Sequence, residues 1–587
     1  MVTGYSWITL MLWFTYSWKK KGNTMVLSLS GEMLRWKRLY KDMMSLKEEI
    51  KQIVIEGILK SYGIQTKPVI EIPPKAAFGD FASNISSFFP CEKKISFDDF
   101  MNTVVDKLSK KNDMFEKVLR KGGYVNFFLH NRVLFGRLRN VVEEGAQFGS
   151  SNAGNGKRIL VEFVSANPTG PLNVVSARAG VVGDVLVKLL NFTGYRADAE
   201  FYINDAGRQM HMLGESAEIR FKELLGESGE IPEDGYKGEY IKDYVKQFLN
   251  DKKVVSMSEV ERIQFFKETV KDEMVKSQKH SLERFDVRFK KWISEVEILK
   301  QFSVQQVLKI LEDRGDVYKK DGAIWFSTTK YGDDKDRVLI KQNGTHTYIV
   351  SDASYHKNKF ERGYEYLINL WGPDHHGDIM RLKAAIEAFG FGSRNLEIII
   401  VQQVTLVSKG KKEKMSKRSG KFITLDSLLD SVDSDAVRFF FLMRRSQAHL
   451  DFDVELAKTL SLENPVYYTK YCHARTVNIF NFAREAGLSM TDDPDLSLLK
   501  EPGEREIARL VLLFPEVVQG ATEKRDVHRV PYYLLDLAKA FHSYYQKVRV
   551  VTDDGPLSEA RLFLVKAMQQ VMKNGLDLIG VAAPEKM

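Results

Sequence analysis

Three clusters in this 587-residue chain have the residue types and spacing to do chemistry. The first is "GPLNVVSARAG", residues 170–180. An apolar run, "KRILVEFVSANPT" (157–169), breaks at Asn167-Pro168 and hands over to it. Val181, Val182, Val185, Leu186, Leu189 and Leu190 then repeat on one helix face, and Gly194 stands where a C-terminal cap belongs. A helix that starts at a strand end offers free N–H groups and partial positive charge, which suits a bound phosphate. Yet no histidine, lysine or arginine accompanies this junction before Arg178.

The second cluster is "SKGKKEKMSKRSGKFITL" (408–425), where Lys409, Lys411, Lys412, Lys414, Lys417, Arg418 and Lys421 crowd a Gly/Ser loop with Glu413 as the single acid. A basic run is ordinarily a solvated face. Here an apolar strand precedes it and "LDSLLDSVDSDAVRFFFL" follows as a helix, so the lysines lie at a sheet edge. Lys414 and Lys417 would there neutralise charge growing on a transferred phosphoryl or adenylyl group.

The third combines "THTYIVSDASYH" (345–356) with "LWGPDHHGDIMRLKAA" (370–385). Tyr348 and Asp352 meet if their segment is helical. Asp374, His375 and His376 load a strand end, where doubly wound sheets bind ligands. Adjacent histidines seldom ligate one ion, so no metal site is expected.

The elements that must position these clusters follow from patterning. Between about 158 and 450, short β-branched runs ("ILVEFV", "AEFYIND", "AIWFS", "THTYIVSD", "YEYLINLWG", "EIIIVQQV") alternate with helical stretches, which predicts an α/β fold on a parallel sheet. A helical insertion, about 208–312, interrupts it. Residues 46 to about 135 read as a small α+β unit: the helix "LKEEIKQIVIEGILKSYG" ended by Gly63, the loop "PPKAAFGDFASNI" leading to a helix, and the strand "KGGYVNFFL". "GAQFGSSNAGNGK" (145–157) reads as a linker. Beyond about 455 only amphipathic helices are expected. The domains are therefore 44–145, 146–455 and 456–587, with 1–43 an upstream extension outside the fold.

Bulk composition bounds the function. Hydrophobic content of 44% and charged content of 28% describe a soluble globular protein. The net charge of +9 permits a polyanionic partner without demanding one. Two cysteines, Cys91 and Cys472, exclude a disulfide framework and a cysteine-rich zinc site, and point inside the cell. "YSWITLMLWFTYSW" (5–18) is shorter than the roughly 20 residues a bilayer span needs and lacks a charged leader, so no membrane association is expected.

"VEFVSANPTGPL", "FYINDAGRQ", "TYIVSD", "WGPDHHG", "EKMSKRSGKFITL", "NPVYYTKYCHAR" and "NGLDLIGVAAPEKM", in that order from about residue 46 to Met587, resemble the bacterial-type arginyl-tRNA synthetases, a class I family. The resemblance implies a Rossmann-type catalytic domain, an N-terminal α+β domain at the tRNA elbow and an all-helical anticodon-binding domain. It implies ATP with Mg²⁺ as co-substrate, L-arginine and its tRNA as partners, a monomer, and a cytoplasmic location. Lys414 to Lys417 match the second class I signature in full. The first does not match: where the family has His-x-Gly-His, this chain has Asn173-Val174-Val175-Ser176. Losing one preorganised donor to a transition-state charge typically costs ~10²–10³ in rate. Two accounts follow. Either Asn173 and Ser176 hold the phosphates in place of the imidazoles, or the chain is a weakened or inactive tRNA-binding paralogue.

The resemblance also distributes the sites. Lys414, Lys417, Asn173 and Ser176 are the catalytic candidates. Pro171, Leu172, Val175, Met415, Ser416, Gly372, Asp374 and His375 would face ATP. A guanidinium calls for acidic acceptors in a fixed geometry, and Glu162 and Asp352 are the candidates. With Ser165, Asn167 and Tyr348 they fall in the family's amino-acid pocket. Phe78 and Asn84 in "FGDFASN" match the elbow-contacting segment. Tyr467, Tyr471 and Arg475 mix rings with a cation, as stacking on unpaired bases requires.

Overall fold

The computed structural model describes residues 45–587 except 74–75, 111–112, 409–410, 413–422 and 490; of 16–21, 24–29, 76 and 411–412 it describes the backbone alone. Lys414, Met415, Ser416 and Lys417 therefore lie outside the described residues, as does most of the expected extension. Two compact units result. One takes the described residues through 148 with 483–516 and 543–571; the other takes 149–482, 517–542 and 572–587.

In the first unit, helix α1 (Leu46–Tyr62) starts at Ser45, whose Oγ accepts from Glu48 N, and ends at Gly63 (φ 69°), whose N–H reaches Leu59 O. Both caps are the residue types that their positions favour. Strands β1 (Ile70–Glu71) and β2 (Phe81–Asn84), helix α2 (Phe97–Lys110), and strands β3 (Phe115–Lys121) and β4 (Tyr124–Leu129) follow, the antiparallel sheet running β1-β2-β4-β3. "FASN", expected in a loop, is thus a strand. Four residues are too few to show a period, and pairing Phe81 with Phe127 decides the matter. Gly79 (φ 92°) enters this strand so close to β4 that a Cβ would stand 2.6 Å from Phe127 O.

The second unit is built on a fully parallel sheet. Strand β5 (Arg158–Glu162) leads through helix α3 (Val174–Phe192) to β6 (Arg196–Ile203). Helices α4 (Arg208–Leu224), α5 (Glu239–Val245) and α6 (Glu259–Arg284) form the insertion, and β7 (Lys291–Ser294) follows. A short helix α7 (Glu295–Gln301) comes next. After it, strands β8 (Val317–Lys320), β9 (Ala323–Phe326) and β10 (Arg337–Ile340) make a separate antiparallel sheet. Helix α8 (Tyr348–Glu361), strand β11 (Tyr366–Trp371), helix α9 (Ile379–Ala388) and strand β12 (Leu396–Ile400) close the main sheet, whose order is β12-β11-β5-β6-β7. The chain reverses its direction of travel between β5 and β11, the crevice where such sheets bind ligands.

Several expectations change here. "AIWFS" is β9 of the antiparallel sheet, not a parallel strand. "THTYIVSD" opens helix α8, because the β-branched run is brief and the polar residues behind it continue one helical face. The insertion stops before β7, a strand too short to break a helical pattern visibly. The boundary between units falls at 148/149, inside the expected linker, yet its second half is docked: Ser151 N, Gly154 N and Gly156 N donate to the carbonyls of Phe192, Thr193 and Gly194 at the end of α3.

Strand β13 (Val404–Ser408) runs into the lysine loop, and its parallel partner β14 (Leu450–Asp453) follows helix α10 (Ser434–Leu442). Thereafter come helices alone among the described residues: α11 (Pro465–Glu485), α12 (Pro502–Leu512), α13 (Phe514–Lys524), α14 (Arg529–Tyr545) and α15 (Gly555–Ile579).

Candidate active site

The loop leaving β5 is strained. Val164 (φ 68°) and Ser165 (φ 40°) both take left-handed backbone, and Ser165 N donates to Phe163 O at 2.9 Å across a three-residue turn. A β-branched residue in this region is a genuine outlier, of the kind that persists only where surrounding contacts over-determine it. Those contacts begin with Glu162, whose Oε1 accepts from Ser165 Oγ at 2.9 Å, while the same Oγ accepts from Tyr202 N at 3.2 Å.

Helix α8 lays Tyr348, Asp352, Tyr355 and Lys359 along one face, at the i, i+4, i+7, i+11 spacing of 3.6 residues per turn. Tyr348 and Asp352 therefore do share a face, as a helical reading requires. Lys359 is fully buried; its Nζ donates to Glu162 Oε2 at 2.5 Å and to Asn369 Oδ1 at 3.3 Å, and sits 4.1 Å from the Tyr355 ring centre. A second buried acid, Glu200, accepts from Tyr355 Oη at 2.7 Å and from Arg362 through both oxygens, at 2.5 and 2.8 Å. Glu162 and Glu200 are thus compensated from within the protein.

Asp352 and Glu295 are not: neither is ion-paired among the described residues. Glu295, at the start of α7 beside Tyr202 and Ser351, escaped the sequence reading; its one signal was an acid directly after the short strand "KWIS". Burial raises its carboxyl above the usual range, the Ser351 hydroxyl opposes that rise, and Asp205 adds to it. Burial, with Glu162 and Glu295 next, pushes the Asp352 carboxyl up to about 7. Two acids that resist ionising together share a pocket whose cationic neighbours, Arg381 towards Asp352 and His346 towards Glu295, form no ion pair with them among the described residues. Tyr348, 65% exposed, stands one turn ahead of Asp352 at its edge. Asn167 Nδ2 donates to Gln209 Oε1.

At the variant signature, Asn173 is the N-cap of α3. Its Oδ1 accepts from Ser176 N at 2.9 Å, leaving the amide nitrogen as its free donor type. Leu425 N donates to Leu172 O at 2.8 Å and Asn173 bridges Thr424, so the C-terminal end of the lysine loop is stitched to this junction. Leu172 is buried; Pro171, Val175 and Ser176 are half-buried. Arg178, the first cation on α3, is turned away. It is fully buried and donates to the carbonyls of Gln402, Arg445 and Ala448 at 2.8–2.9 Å. Behind β11, Gly372 leads to exposed Asp374 and His375, with His375 Nδ1 3.2 Å from Asp378 Oδ2 and its ring 5.9 Å from that of Trp371.

Elsewhere the candidates also find partners. Phe78 is half-buried with Lys121 Nζ 3.8 Å above its ring, and exposed Asn84 accepts from Ser86 Oγ at 2.5 Å. On α11, the Tyr467 and Tyr471 rings stack at 6.0 Å, and the Arg475 guanidinium lies 4.5 Å from the Tyr471 ring and donates to its hydroxyl at 2.7 Å. All three are half-buried, and the His542 ring also stacks on Tyr471, at 5.8 Å, so Tyr471 is covered from within the protein more than Tyr467 is.

Comparison with known proteins agrees. The family model "tRNA synthetases class I (R), catalytic domain" matches residues 137–462, "Arginyl tRNA synthetase N terminal domain" matches 44–129, and "DALR anticodon binding domain" matches 469–587. The arginine–tRNA ligase of Syntrophotalea carbinolica is 43% identical, over 92% of this chain and all of that protein. That of Bacillus subtilis is also 43% identical, over 92% of this chain and 98% of its own length. Among solved structures, Thermus thermophilus arginyl-tRNA synthetase superposes with a TM-score of 0.74 at 23% identity, covering 92% of this chain and all of that one. Mycobacterium tuberculosis methionyl-tRNA synthetase does so at 0.52 and 10%, covering 72% and 92%. A parallel sheet that reverses order over a strand–loop–helix junction, followed by a lysine loop and a helical tail, is the class I aminoacyl-tRNA synthetase fold. Within that class, the chain belongs to the arginyl-tRNA synthetase family.

Proposed function

We propose that this chain is an arginine–tRNA ligase that works despite its altered first signature. The arginine carboxylate attacks the α-phosphorus of ATP, which enters with Mg²⁺, and pyrophosphate leaves. A ribose hydroxyl at the tRNA 3′ end then attacks the activated carbonyl and releases AMP. The observation that carries this reading is the pair Asp352 and Glu295, two carboxylates without an ion-paired cation among the described residues, beside two others that have one. Such a pocket gains most from a ligand that brings a guanidinium. Tyr348 closes over that group, while Glu162, Ser165 and Asn167 hold the backbone end of the amino acid.

Around ATP, Pro171, Leu172 and Val175 face the nucleoside, with Gly372, Asp374 and His375 opposite, and Met415 and Ser416 of the second signature also bind the nucleotide. The Asn173 amide and Ser176 hydroxyl donate to the phosphates, the α3 N-terminus adds its partial charge, and Lys414 and Lys417 neutralise charge building at the α-phosphorus. Phe78 and Asn84 meet the tRNA elbow; Tyr467, Tyr471 and Arg475 meet the anticodon. The enzyme acts as a monomer in the cytoplasm; among the described residues no helix is long and apolar enough to cross a membrane.

Arginine-dependent ATP–pyrophosphate exchange, with and without tRNA, tests this. Exchange that requires tRNA supports the ligase. Well-folded protein that binds tRNA without exchange would establish the alternative that the missing imidazoles favour, a tRNA-binding paralogue.

A further inference from the structure

The loop from Asn167 to Asn173 joins the amino-acid pocket to the start of α3, and it cannot satisfy its own carbonyls. Pro168 and Pro171 remove two of its N–H donors. The missing donors come from the helical insertion. Tyr240 Oη, on α5, donates to Thr169 O at 2.5 Å. Gln278 Nε2, on α6, donates to Asn167 O at 3.1 Å and Gly170 O at 2.8 Å. Gln278 is 1% exposed and its Oε1 has no partner, so the hydrogen bonding of this amide is directed wholly at the loop. Gly170 packs on the phenol so closely that a Cβ would stand 2.9 Å from Tyr240 Oη. Tyr236, just before the start of α5, lies beside both Thr169 and Tyr348.

We infer that the insertion is a brace for the substrate loop, with Tyr240 and Gln278 as positioning residues for the reaction. In a trans peptide the carbonyl and the following N–H point in opposite directions. Holding Thr169 C=O on Tyr240 therefore aims the Gly170 N–H away from the insertion, and all three held carbonyls turn their negative ends towards the insertion. A phosphate site that has lost two imidazoles gains from both effects. Burial keeps the Tyr240 phenol protonated, and hence a donor, well beyond neutral pH.

The kinetic readout rests on the ligase reading; the structural one does not. Tyr240→Phe removes only the hydroxyl. Tyr244→Phe, on the same helix with its hydroxyl turned to Thr269 inside the insertion, is the matched control. Losing one such donor should lower kcat/KM for ATP in pyrophosphate exchange by about three- to tenfold in Tyr240→Phe, with the arginine KM and the Tm close to those of Tyr244→Phe. Gln278→Met, which frees the Asn167 carbonyl beside the amino-acid pocket and the Gly170 carbonyl at mid-loop, should raise the KM of both substrates. Hydrogen exchange of the 163–173 peptide should speed up in Tyr240→Phe and not in Tyr244→Phe. Equal kinetics and equal loop protection in the two phenylalanine variants would overturn the inference. Wild-type protein without exchange activity would sink the ligase reading instead, and loop protection would then decide the brace alone.

Discussion

Lys359 Nζ and Glu162 Oε2 meet at 2.5 Å across 197 residues of sequence, with the lysine side chain wholly buried and the carboxylate nearly so. This pair anchors the strained turn at Val164 and Ser165 through the Ser165 hydroxyl. It also takes Glu162 out of competition for the substrate guanidinium.

Lys359→Met should destabilise the protein by about 3–5 kcal/mol, because it strands a buried carboxylate. Lys359→Met with Glu162→Gln should recover most of that loss, since neither charge of the pair then remains. Urea unfolding of the two variants checks the claim; equal midpoints for Lys359→Met and wild type would refute it.

Arginine affinity should depend on pH through Asp352. Its folded carboxyl titrates at about 7, whereas an unfolded aspartate titrates near ~3.9. Between those values the folded state holds a proton that the unfolded state has lost, so raising pH across this window removes stability. The same proton must leave before a guanidinium pairs with Asp352. Arginine Kd, measured calorimetrically from pH 5.5 to 8.5, should tighten by about tenfold per unit below 7 and then level off. Asp352→Asn should bind weakly at every pH and show no such slope.

Asn173 combines two tasks that substitutions can separate. Asn173→Ala should cost about 1 kcal/mol of stability by removing the α3 cap, and Asn173→Ser should largely restore it. If the amide also donates to phosphate, Asn173→Ser should still show a raised ATP KM in pyrophosphate exchange. Full activity in Asn173→Ser would reduce the residue to a cap.

Tyr467→Ala should weaken tRNA binding by about 1–3 kcal/mol, as the loss of one stacked base does. Its arginine and ATP KM values should not move. A filter-binding titration with tRNA and an exchange assay, run on the same preparation, separate the two effects.

Local rules sufficed where partners are near in sequence. Ser45 and Gly63 cap α1 as their types demand, Gly194 (φ 85°) follows the end of α3, and the alternation of β-branched runs with helices foretold the parallel sheet. The seven ordered motifs foretold the family, because each is a string of neighbours. Tertiary structure alone decided the rest. "FASN" became a strand only by pairing with β4, and residues 151–157 became a docked segment only by bonding to the end of α3. Glu295, Lys359, Tyr240 and Gln278 each reach the site from an element remote in sequence. The physical reason is common to all of them: a buried charge or an orphaned carbonyl is tolerable only beside its complement, and that complement is chosen by packing in space rather than by order along the chain.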